Sequence, residues 1–205
     1  MRLGELALAW MALMAAAAIG CSSSDSGGNG GTGGTGGAAL QANIDTSMGL
    51  IVVDLNPGAS PITVDNFQAY ADAQFYDGLI FHRVISAFMI QGGGLNPDMT
   101  QKPTLFPPIV NEAVTSGLSN LAGTIAMART SAPNSATSQF YINTVDNTFL
   151  DPSPSNPAGY AVFGMVTEGM DVVHAIEAVA THSVGAYDDV PVDAVLINSI
   201  TVQAP

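Results

Sequence analysis

The sequence predicts an all-β domain, a closed antiparallel β-barrel that carries two α-helices. Short apolar segments with the alternating pattern of β-strands follow one another from about residue 41 to residue 202. Only two stretches have the spacing of amphipathic helices, and strands and helices do not alternate in the way that builds a parallel sheet. Closure into a barrel leaves such strands without exposed edges.

The first 20 residues are predicted to be a signal peptide. The apolar run of residues 6–19 follows Arg2 and is shorter than the ~20 residues that span a bilayer. Residues 18–21 resemble a bacterial lipobox, in which the cysteine becomes the lipidated first residue after cleavage. We therefore expect Cys21 to carry the lipid and to hold the protein in a bacterial cell envelope, facing the periplasm or the cell surface. A plain secretory peptide with an unmodified Cys21 is the alternative.

Residues 21–37 are predicted to form the lipidated cysteine and a flexible tether. Residues 22–37 contain only Ser, Asp, Gly, Asn and Thr, so they cannot bury apolar area and are expected to be disordered. A Gly- and Ser-rich chain of this length spans ~20–24 Å on average. The composition changes at Ala38, which predicts a folded domain over residues 38–205.

The domain is predicted to begin with two strands and a helix. Residues 41–55 have the pattern of two strands joined by a turn at residues 47–49. Ser60 before Pro61 is a helix-start signal, in which the hydroxyl is expected to cap a helix whose first residue is proline. Apolar residues at helical spacing continue through residues 64–71.

The remaining elements are also predicted from local patterns. Residues 76–78 (Tyr-Asp-Gly) indicate a turn, and residues 79–90 form an apolar, β-prone stretch. A second helix is predicted over residues 169–179, where apolar residues share one face. A strand over residues 194–202 ends the domain.

Composition and charge exclude several classes of function. Four Lys and Arg stand against 17 Asp and Glu, which gives a formal net charge of −13. Sequence-independent nucleic-acid binding and charge-based attachment to anionic lipid both need a basic surface, so neither is expected. The single cysteine cannot form an internal disulfide, and three widely spaced histidines do not form a zinc-binding cluster. A structural zinc site is therefore not expected, and no other metal site is predicted.

Arg83 is the first candidate for a functional residue. It lies in an apolar strand pattern with no carboxylate nearby in the sequence, and alternation would place it on one face with Ile85 and Met89. An arginine in such a position is either paired with a distant carboxylate or directed at a ligand. The neighbouring His82 is expected to point to the opposite face as a structural histidine whose hydrogen bonds are satisfied.

Three segments resemble the cyclophilin family of peptidyl-prolyl cis-trans isomerases in their order and spacing. They are residues 81–94 (FHRVISAFMIQGGG), residues 123–143 with MART and SQFYIN, and residues 149–164 with FLD and GYAVFG. The resemblance extends from about residue 44 to residue 202. MART, Phe149 and the THSVGAY segment at residues 181–187 are similar to the bacterial secreted branch.

This resemblance implies an eight-stranded antiparallel barrel closed by two helices, with a shallow groove on its outer face. It implies that Arg83 is the catalytic cation, that no cofactor takes part, and that proline-containing polypeptides are the substrates. The implied binding residues are Phe88, Met89, Tyr141 and Leu150 in the proline pocket, Gln91, Ala128, Arg129 and Gln139 along the groove, and Phe149 and Tyr160 at its rim.

The sequence departs from the family pattern at several positions. Ser86-Ala87 replaces the usual Pro-Gly, and Tyr141 stands where Phe is common and is expected to add a hydroxyl to the pocket wall. Phe149 stands where many eukaryotic members have Trp, so weak cyclosporin binding is expected. Tyr160 replaces a common His, and residues 152–159 form an enlarged rim loop.

Taken together, these features predict a monomeric isomerase that assists protein folding outside the cytoplasm. The alternative is a proline-binding chaperone or adhesin in which catalysis is dispensable. A third interpretation, without the resemblance, is a lipid-tethered barrel that binds a small ligand inside. That interpretation needs an open interior, whereas the bulky apolar residues are numerous enough to fill it.

Overall fold

Eight antiparallel strands close into a barrel in the computed structural model, which describes residues 39–204. The described residues contain ten strands in all, eight of the barrel and two of a separate hairpin. In chain order they are β1 (Leu40–Thr46), β2 (Gly49–Leu55), β3 (Ile80–Ile85), β4 (Met89–Gly92), β5 (Thr124–Met127), β6 (Phe140–Asn143), β7 (Val162–Glu168), β8 (Thr181–Val184), β9 (Tyr187–Pro191) and β10 (Val195–Gln203). The order around the barrel is β1, β10, β3, β4, β6, β5, β7 and β2, while β8 and β9 pair in a separate hairpin. The predicted closed antiparallel barrel is confirmed.

The predicted N-terminal features lie outside the described residues. These are the signal peptide of residues 1–20, the lipidation site Cys21 and the tether that ends at residue 37. Within residues 39–204, no helix combines the length and the apolar character needed to cross a membrane.

In the described part of the chain, three α-helices accompany the strands: α1 (Pro61–Asp72), α2 (Ala113–Ser116) and α3 (Met170–Glu177). The sequence predicts α1 and α3, and the two bury apolar residues in the core of the barrel. It does not predict α2, because a helix of 4 residues is too short to show a helical period. The fold therefore has one more helix than the two that were expected.

Side chains fill the interior of the barrel. Phe67 of α1 is fully buried, and its ring centroid lies 5.4 Å from that of Tyr76, 5.6 Å from that of Phe140 and 5.2 Å from that of Phe163. Aromatic rings that meet tilted or edge-on at such distances stabilise each other beyond the burial of their area. The interior is thus a packed core, which argues against a barrel that holds a small ligand inside.

The start of α1 is where the sequence predicts it, but its cap differs. The Ser60 hydroxyl donates to the carbonyl oxygen of Val162 at 2.7 Å and does not cap the helix. The buried carboxylate of Glu112 accepts instead, from the N–H groups of Ile62 at 3.2 Å and Thr63 at 2.8 Å and from the Thr63 hydroxyl at 2.7 Å. The prediction of a Ser60 cap is wrong, because a carboxylate distant in sequence satisfies the free amides.

The apolar stretch of residues 79–90 contains a turn that the sequence does not show. Strand β3 ends at Ile85, residues 86–88 turn, and β4 begins at Met89. Ala87 has φ +54°, and its N–H donates to the Glu177 carboxylate at 2.7 Å. A left-handed backbone conformation favours glycine, so this is where the replacement of Pro-Gly by Ser86-Ala87 has a structural consequence.

Candidate active site

A cavity opens on the outer face of the barrel beside β3, β4, β5 and β6. Its lining residues are Arg83, Phe88, Met89, Gln91, Ala128, Arg129, Tyr141, Leu150 and Tyr160. Every one of them is a residue that the sequence resemblance assigned to catalysis or substrate binding. The structure thus brings together side chains from three separate segments of the chain.

The strand register explains why these side chains meet. Arg83 of β3 lies opposite Gln91 of β4, Gln91 lies opposite Tyr141 of β6, and Tyr141 lies opposite Ala126 of β5. Side chains of directly opposed residues lie on the same side of a sheet. The four residues therefore form one row across the outer face, with the charged end at Arg83.

The floor of the cavity is an apolar cluster of its own. Met89, Ala126, Tyr141 and Val162 are buried in it and are separate from the barrel core. Phe88 and Leu150 pack against this cluster at its edge. Strict alternation beyond Arg83 would place Phe88 on the opposite face, but β3 ends at Ile85 and the turn at residues 86–88 brings the ring to the cavity side. The cavity can accept a small apolar ring next to a positive charge.

Arg83 has a loose partner outside the cavity. Its Nε lies 3.9 Å from Oδ2 of Asp189, and the two side chains are 45% and 41% exposed. An ion pair this long and this exposed contributes ~0–1 kcal/mol. The sequence left two alternatives for Arg83, pairing with a distant carboxylate or direction at a ligand. The structure shows both features, because Arg83 has the distant partner Asp189 and also lines the cavity.

His82 lies next to the groove and not on the opposite face. A register shift between Phe81 and Arg83 breaks the alternation of β3. The His82 Nε2 is 3.5 Å from Nε2 of Gln91, and its buried Nδ1 has no hydrogen-bond partner among residues 39–204. Burial lowers the pKa of His82 to about 4, so the ring is neutral at physiological pH. The prediction of a satisfied histidine on the opposite face is wrong in both respects.

Gln139 and Phe149 lie beside the cavity without lining it. The Gln139 side-chain carbonyl accepts from Nε2 of Gln91 at 3.0 Å, and Gln139 lines an adjoining polar cavity. Phe149 is 64% exposed and stacks on Phe88, with a ring-centroid distance of 5.7 Å. The residues shared by the two cavities are Gln91, Ala128 and Arg129. The two cavities therefore join into one groove.

Sequence reasoning missed several residues of the second cavity. They are Gln101, Thr104, Thr130, Ser135 and Thr137. These uncharged polar side chains lie outside the helices and strands and carry no pattern that separates them from other surface residues. Thr130, Ser135 and Thr137 do lie within segments that the family resemblance covers.

Arg129 is held by the rim loop of residues 152–159. Its Nε donates to the carbonyl oxygen of Gly159 at 2.9 Å, and its Nη2 donates to Oδ1 of Asn156 at 3.4 Å. Its Cζ lies 4.3 Å from the ring centroid of Tyr160, which is a cation–π contact. The guanidinium thus fixes the loop against the groove, a structural role that the sequence did not predict for it.

The Tyr141 hydroxyl points away from the cavity. It donates to Oδ1 of the buried Asn120 at 2.7 Å, and burial raises the pKa of Tyr141 well above its usual value. The wall of the cavity is therefore the aromatic ring. The expectation that the hydroxyl adds to the pocket wall is wrong, because a buried hydroxyl needs a partner and finds it behind the wall.

Comparisons with known proteins agree with this geometry. A family model described as cyclophilin type peptidyl-prolyl cis-trans isomerase/CLD matches residues 41–202. A peptidyl-prolyl cis-trans isomerase of Streptomyces antibioticus is 56% identical over 161 residues, which are 78% of this chain and 96% of that protein. Peptidyl-prolyl cis-trans isomerase B of Escherichia coli is 52% identical over 159 residues, 77% of this chain and 96% of that protein.

A solved structure has the same fold. A cyclophilin type peptidyl-prolyl cis-trans isomerase of Cryptosporidium parvum superposes with a TM-score of 0.69 at 24% identity. The superposition covers 82% of this chain and 99% of that chain. At this identity the likeness concerns the fold alone.

Proposed function

Because this chain belongs to the cyclophilin-type peptidyl-prolyl cis-trans isomerase family and is such an isomerase, we propose that X–Pro bonds rotate in the cavity beside Arg83. The observation that carries this proposal is the cross-strand row from Arg83 to Ala126. It sets a guanidinium at the edge of a buried apolar pocket. Rotation about the X–Pro amide bond makes and breaks no covalent bond.

Arg83 is proposed to stabilise the twisted transition state. Rotation of a peptide bond faces a barrier of ~18–20 kcal/mol, which comes from amide resonance. In the planar ground state the nitrogen lone pair is delocalised, whereas in the twisted state it is localised and accepts a hydrogen bond. A guanidinium over that nitrogen therefore binds the transition state more tightly than the ground state, as catalysis requires. Arginine supplies this charge at any useful pH.

The apolar pocket is proposed to hold the proline ring during rotation. Met89, Tyr141 and Leu150 form its walls and floor, next to Arg83. The hydrogen-bonded pair Gln91–Gln139 offers amide groups to the peptide backbone along the groove. With the ring and one flank held, only the other flank of the substrate turns.

An isomerase assay on a proline-containing tetrapeptide tests this proposal. Arg83→Ala is expected to lower kcat/KM by about 10²–10³-fold, the usual loss when one donor to a transition-state charge is removed. The side chain is half-exposed, so the variant should keep the circular dichroism spectrum and the stability of the wild type. Arg83→Lys is the matched variant: it keeps the charge but lacks the planar fork, so intermediate activity is expected. A folded Arg83→Ala protein with most of its activity would remove Arg83 from this role.

We also propose that the isomerase acts outside the cytoplasm, on a lipid anchor at Cys21. The support comes from the sequence: a short apolar leader, the lipobox-like residues 18–21 and a Gly- and Ser-rich tether. Buried acyl chains contribute ~0.8 kcal/mol per CH₂ group, so several chains on one cysteine anchor a protein durably. Proline-containing segments of exported proteins would then be its clients.

Detergent phase partition and mass spectrometry test the anchor. Wild-type protein is expected in the detergent phase with added mass on Cys21, and Cys21→Ser is expected to yield a soluble or uncleaved precursor. Since Cys21 is the single cysteine of the chain, no other thiol can take the lipid. Wild-type protein in the aqueous phase with an unmodified Cys21 would contradict the proposal without affecting the assignment of the groove.

A further inference from the structure

Three asparagines form a hydrogen-bonded network directly behind the proposed proline pocket. Asn120 and Asn143 are fully buried, and Asn147 is 2% exposed. We call these three residues the asparagine network. Buried amides are costly unless their hydrogen bonds are satisfied, so the partners of these side chains show what the network holds in place.

Asn120 connects the pocket wall to the segment that follows β6. Its Oδ1 accepts from the Tyr141 hydroxyl at 2.7 Å and from Nδ2 of Asn143 at 3.3 Å. Its Nδ2 and its backbone N–H both donate to Oδ1 of Asp151, at 2.8 Å and 2.7 Å. The aromatic ring that forms the pocket wall is thereby tied to a carboxylate one residue after Leu150.

Asn147 connects two other residues of the pocket. Its Nδ2 donates to the carbonyl oxygen of Phe88 at 2.7 Å and to Oδ1 of Asn143 at 2.8 Å. Its carbonyl oxygen accepts from the N–H of Leu150 at 2.8 Å, and its own N–H donates to the carbonyl oxygen of Asn120 at 2.7 Å. Phe88 and Leu150 come from separate segments of the chain and meet through this one side chain and its backbone.

We propose that Asn120 and Asn147 are positioning residues that set the width of the proline pocket. They hold Tyr141, Phe88 and Leu150 at fixed places around the cavity, although neither asparagine lines it. The apolar cluster is much smaller than the barrel core, so packing alone restrains it less, and the hydrogen bonds add a directional restraint. This inference rests on the proposed assignment of the cavity as the proline pocket.

The proposal predicts an effect on KM and not on kcat. The ring of the substrate is gripped in the same way before and during rotation, so a better-defined pocket stabilises the ground state and the transition state equally. An interaction of that kind changes KM and leaves kcat unchanged. The Arg83 contact differs, because it is proposed to strengthen in the transition state alone.

Tyr141→Phe tests the proposal with the smallest change. It keeps the ring and removes the bond to Asn120, and we expect KM to rise about 3- to 10-fold, the equivalent of one hydrogen bond, with kcat unchanged. Tyr76→Phe is the matched control. Tyr76 is fully buried in the barrel core, and its hydroxyl donates to the carbonyl oxygen of Ser138 at 3.1 Å. The Tyr76→Phe variant loses the same kind of hydrogen bond away from the pocket, so its stability should fall while its KM stays unchanged.

A double-mutant cycle with Asn120→Ala shows whether the two residues act together. The KM effects of Tyr141→Phe and Asn120→Ala should be non-additive, because either change removes the same bond. Additive effects, an unchanged KM in Tyr141→Phe, or an equal rise in Tyr76→Phe would each overturn the proposal. If Asn120→Ala does not fold, the comparison of the two Tyr→Phe variants still decides. Failure of the proposed assignment of the cavity beside Arg83 would appear separately, as full activity in a folded Arg83→Ala protein.

Discussion

The inner and outer faces of the barrel wall are stabilised by different interactions. On the inner face, aromatic rings such as Phe67 and Phe163 pack against one another with centroids 5.2 Å apart. On the outer face, the pocket is a small apolar cluster backed by amide hydrogen bonds from Asn120 and Asn147. Apolar burial is non-directional, whereas hydrogen bonds fix atoms at defined places. The inner face thus provides the stability of the fold, and the outer face provides the geometry of the site.

Phe67→Ala is expected to have the largest effect on stability. Truncation of a buried Phe typically costs ~3–5 kcal/mol, because the transfer free energy is lost and a cavity remains. Chemical denaturation measures this loss, and Ile62→Ala on the same helix is the matched control because Ile62 is 44% exposed. The folded fraction of Phe67→Ala should keep its kcat/KM, since the groove lies on the other face. A mild loss of stability together with a large loss of kcat/KM would show that the two faces are coupled.

The sequence predicts the inner face better than the outer one, because the inner face follows local periodicity. The paired strands of residues 41–55 and both longer helices appear where alternation and helical spacing place them. The cap of α1 could not be predicted, because the donor groups meet Glu112 from a distant part of the chain. The turn at Ala87 could not be predicted for another reason. Ala87 has a left-handed backbone conformation, and an alanine within an apolar run gives no sign of such a conformation.

The site was found from motifs, and motifs do not specify how side chains pair. The family resemblance named every residue that lines the cavity beside Arg83. It did not show that Arg129 would be held by Gly159 and Asn156, or that the Tyr141 hydroxyl would turn toward Asn120. Such contacts depend on loops that fold back from other segments. These side-chain contacts can be identified only from the three-dimensional structure.

The burial of His82 beside the groove predicts an acid-sensitive stability. Its pKa is lowered from 6.5 to about 4 in the folded protein, mainly by burial. Between these values the unfolded chain binds more protons than the folded one, so stability falls as the pH drops from 6.5 toward 4. A shift of this size corresponds to about 3 kcal/mol, at ~1.4 kcal/mol per pH unit.

The difference between wild type and His82→Gln isolates this contribution, because carboxylates elsewhere titrate equally in both proteins. Between pH 7 and pH 4, the free energy of unfolding of the wild type should fall by about 3 kcal/mol relative to that of His82→Gln. Parallel curves over this range would mean that His82 is exposed to water in the folded protein.

Ala87→Gly tests the outer face with a smaller expected effect. Ala87 has φ +54°, and a left-handed conformation costs a residue with a Cβ ~1–2 kcal/mol. Glycine removes that cost but loses more backbone entropy on folding, so a net stabilisation of about 0.5–1 kcal/mol is expected. Thermal or chemical denaturation measures it, and Ala69→Gly within α1 is the control that should destabilise. Destabilisation by Ala87→Gly would mean that the methyl group makes a contact worth more than the strain.

The smallest expected effect is that of pH on the catalytic rate. The rate should be constant from about pH 6 to pH 9, because no group in the groove needs to change its charge. An arginine keeps its charge over this range, and the buried Tyr141 hydroxyl keeps its proton because its pKa is raised. His82 is the nearest histidine to Arg83, and with a pKa of about 4 it is already neutral at the lower end of the range. The stability profile and the rate profile should therefore differ: stability declines toward pH 4, while kcat/KM of the folded protein does not change between pH 6 and pH 9. A sigmoidal rate profile with an apparent pKa near ~6.5 that disappears in His82→Gln would place the chemistry on the histidine and not on Arg83.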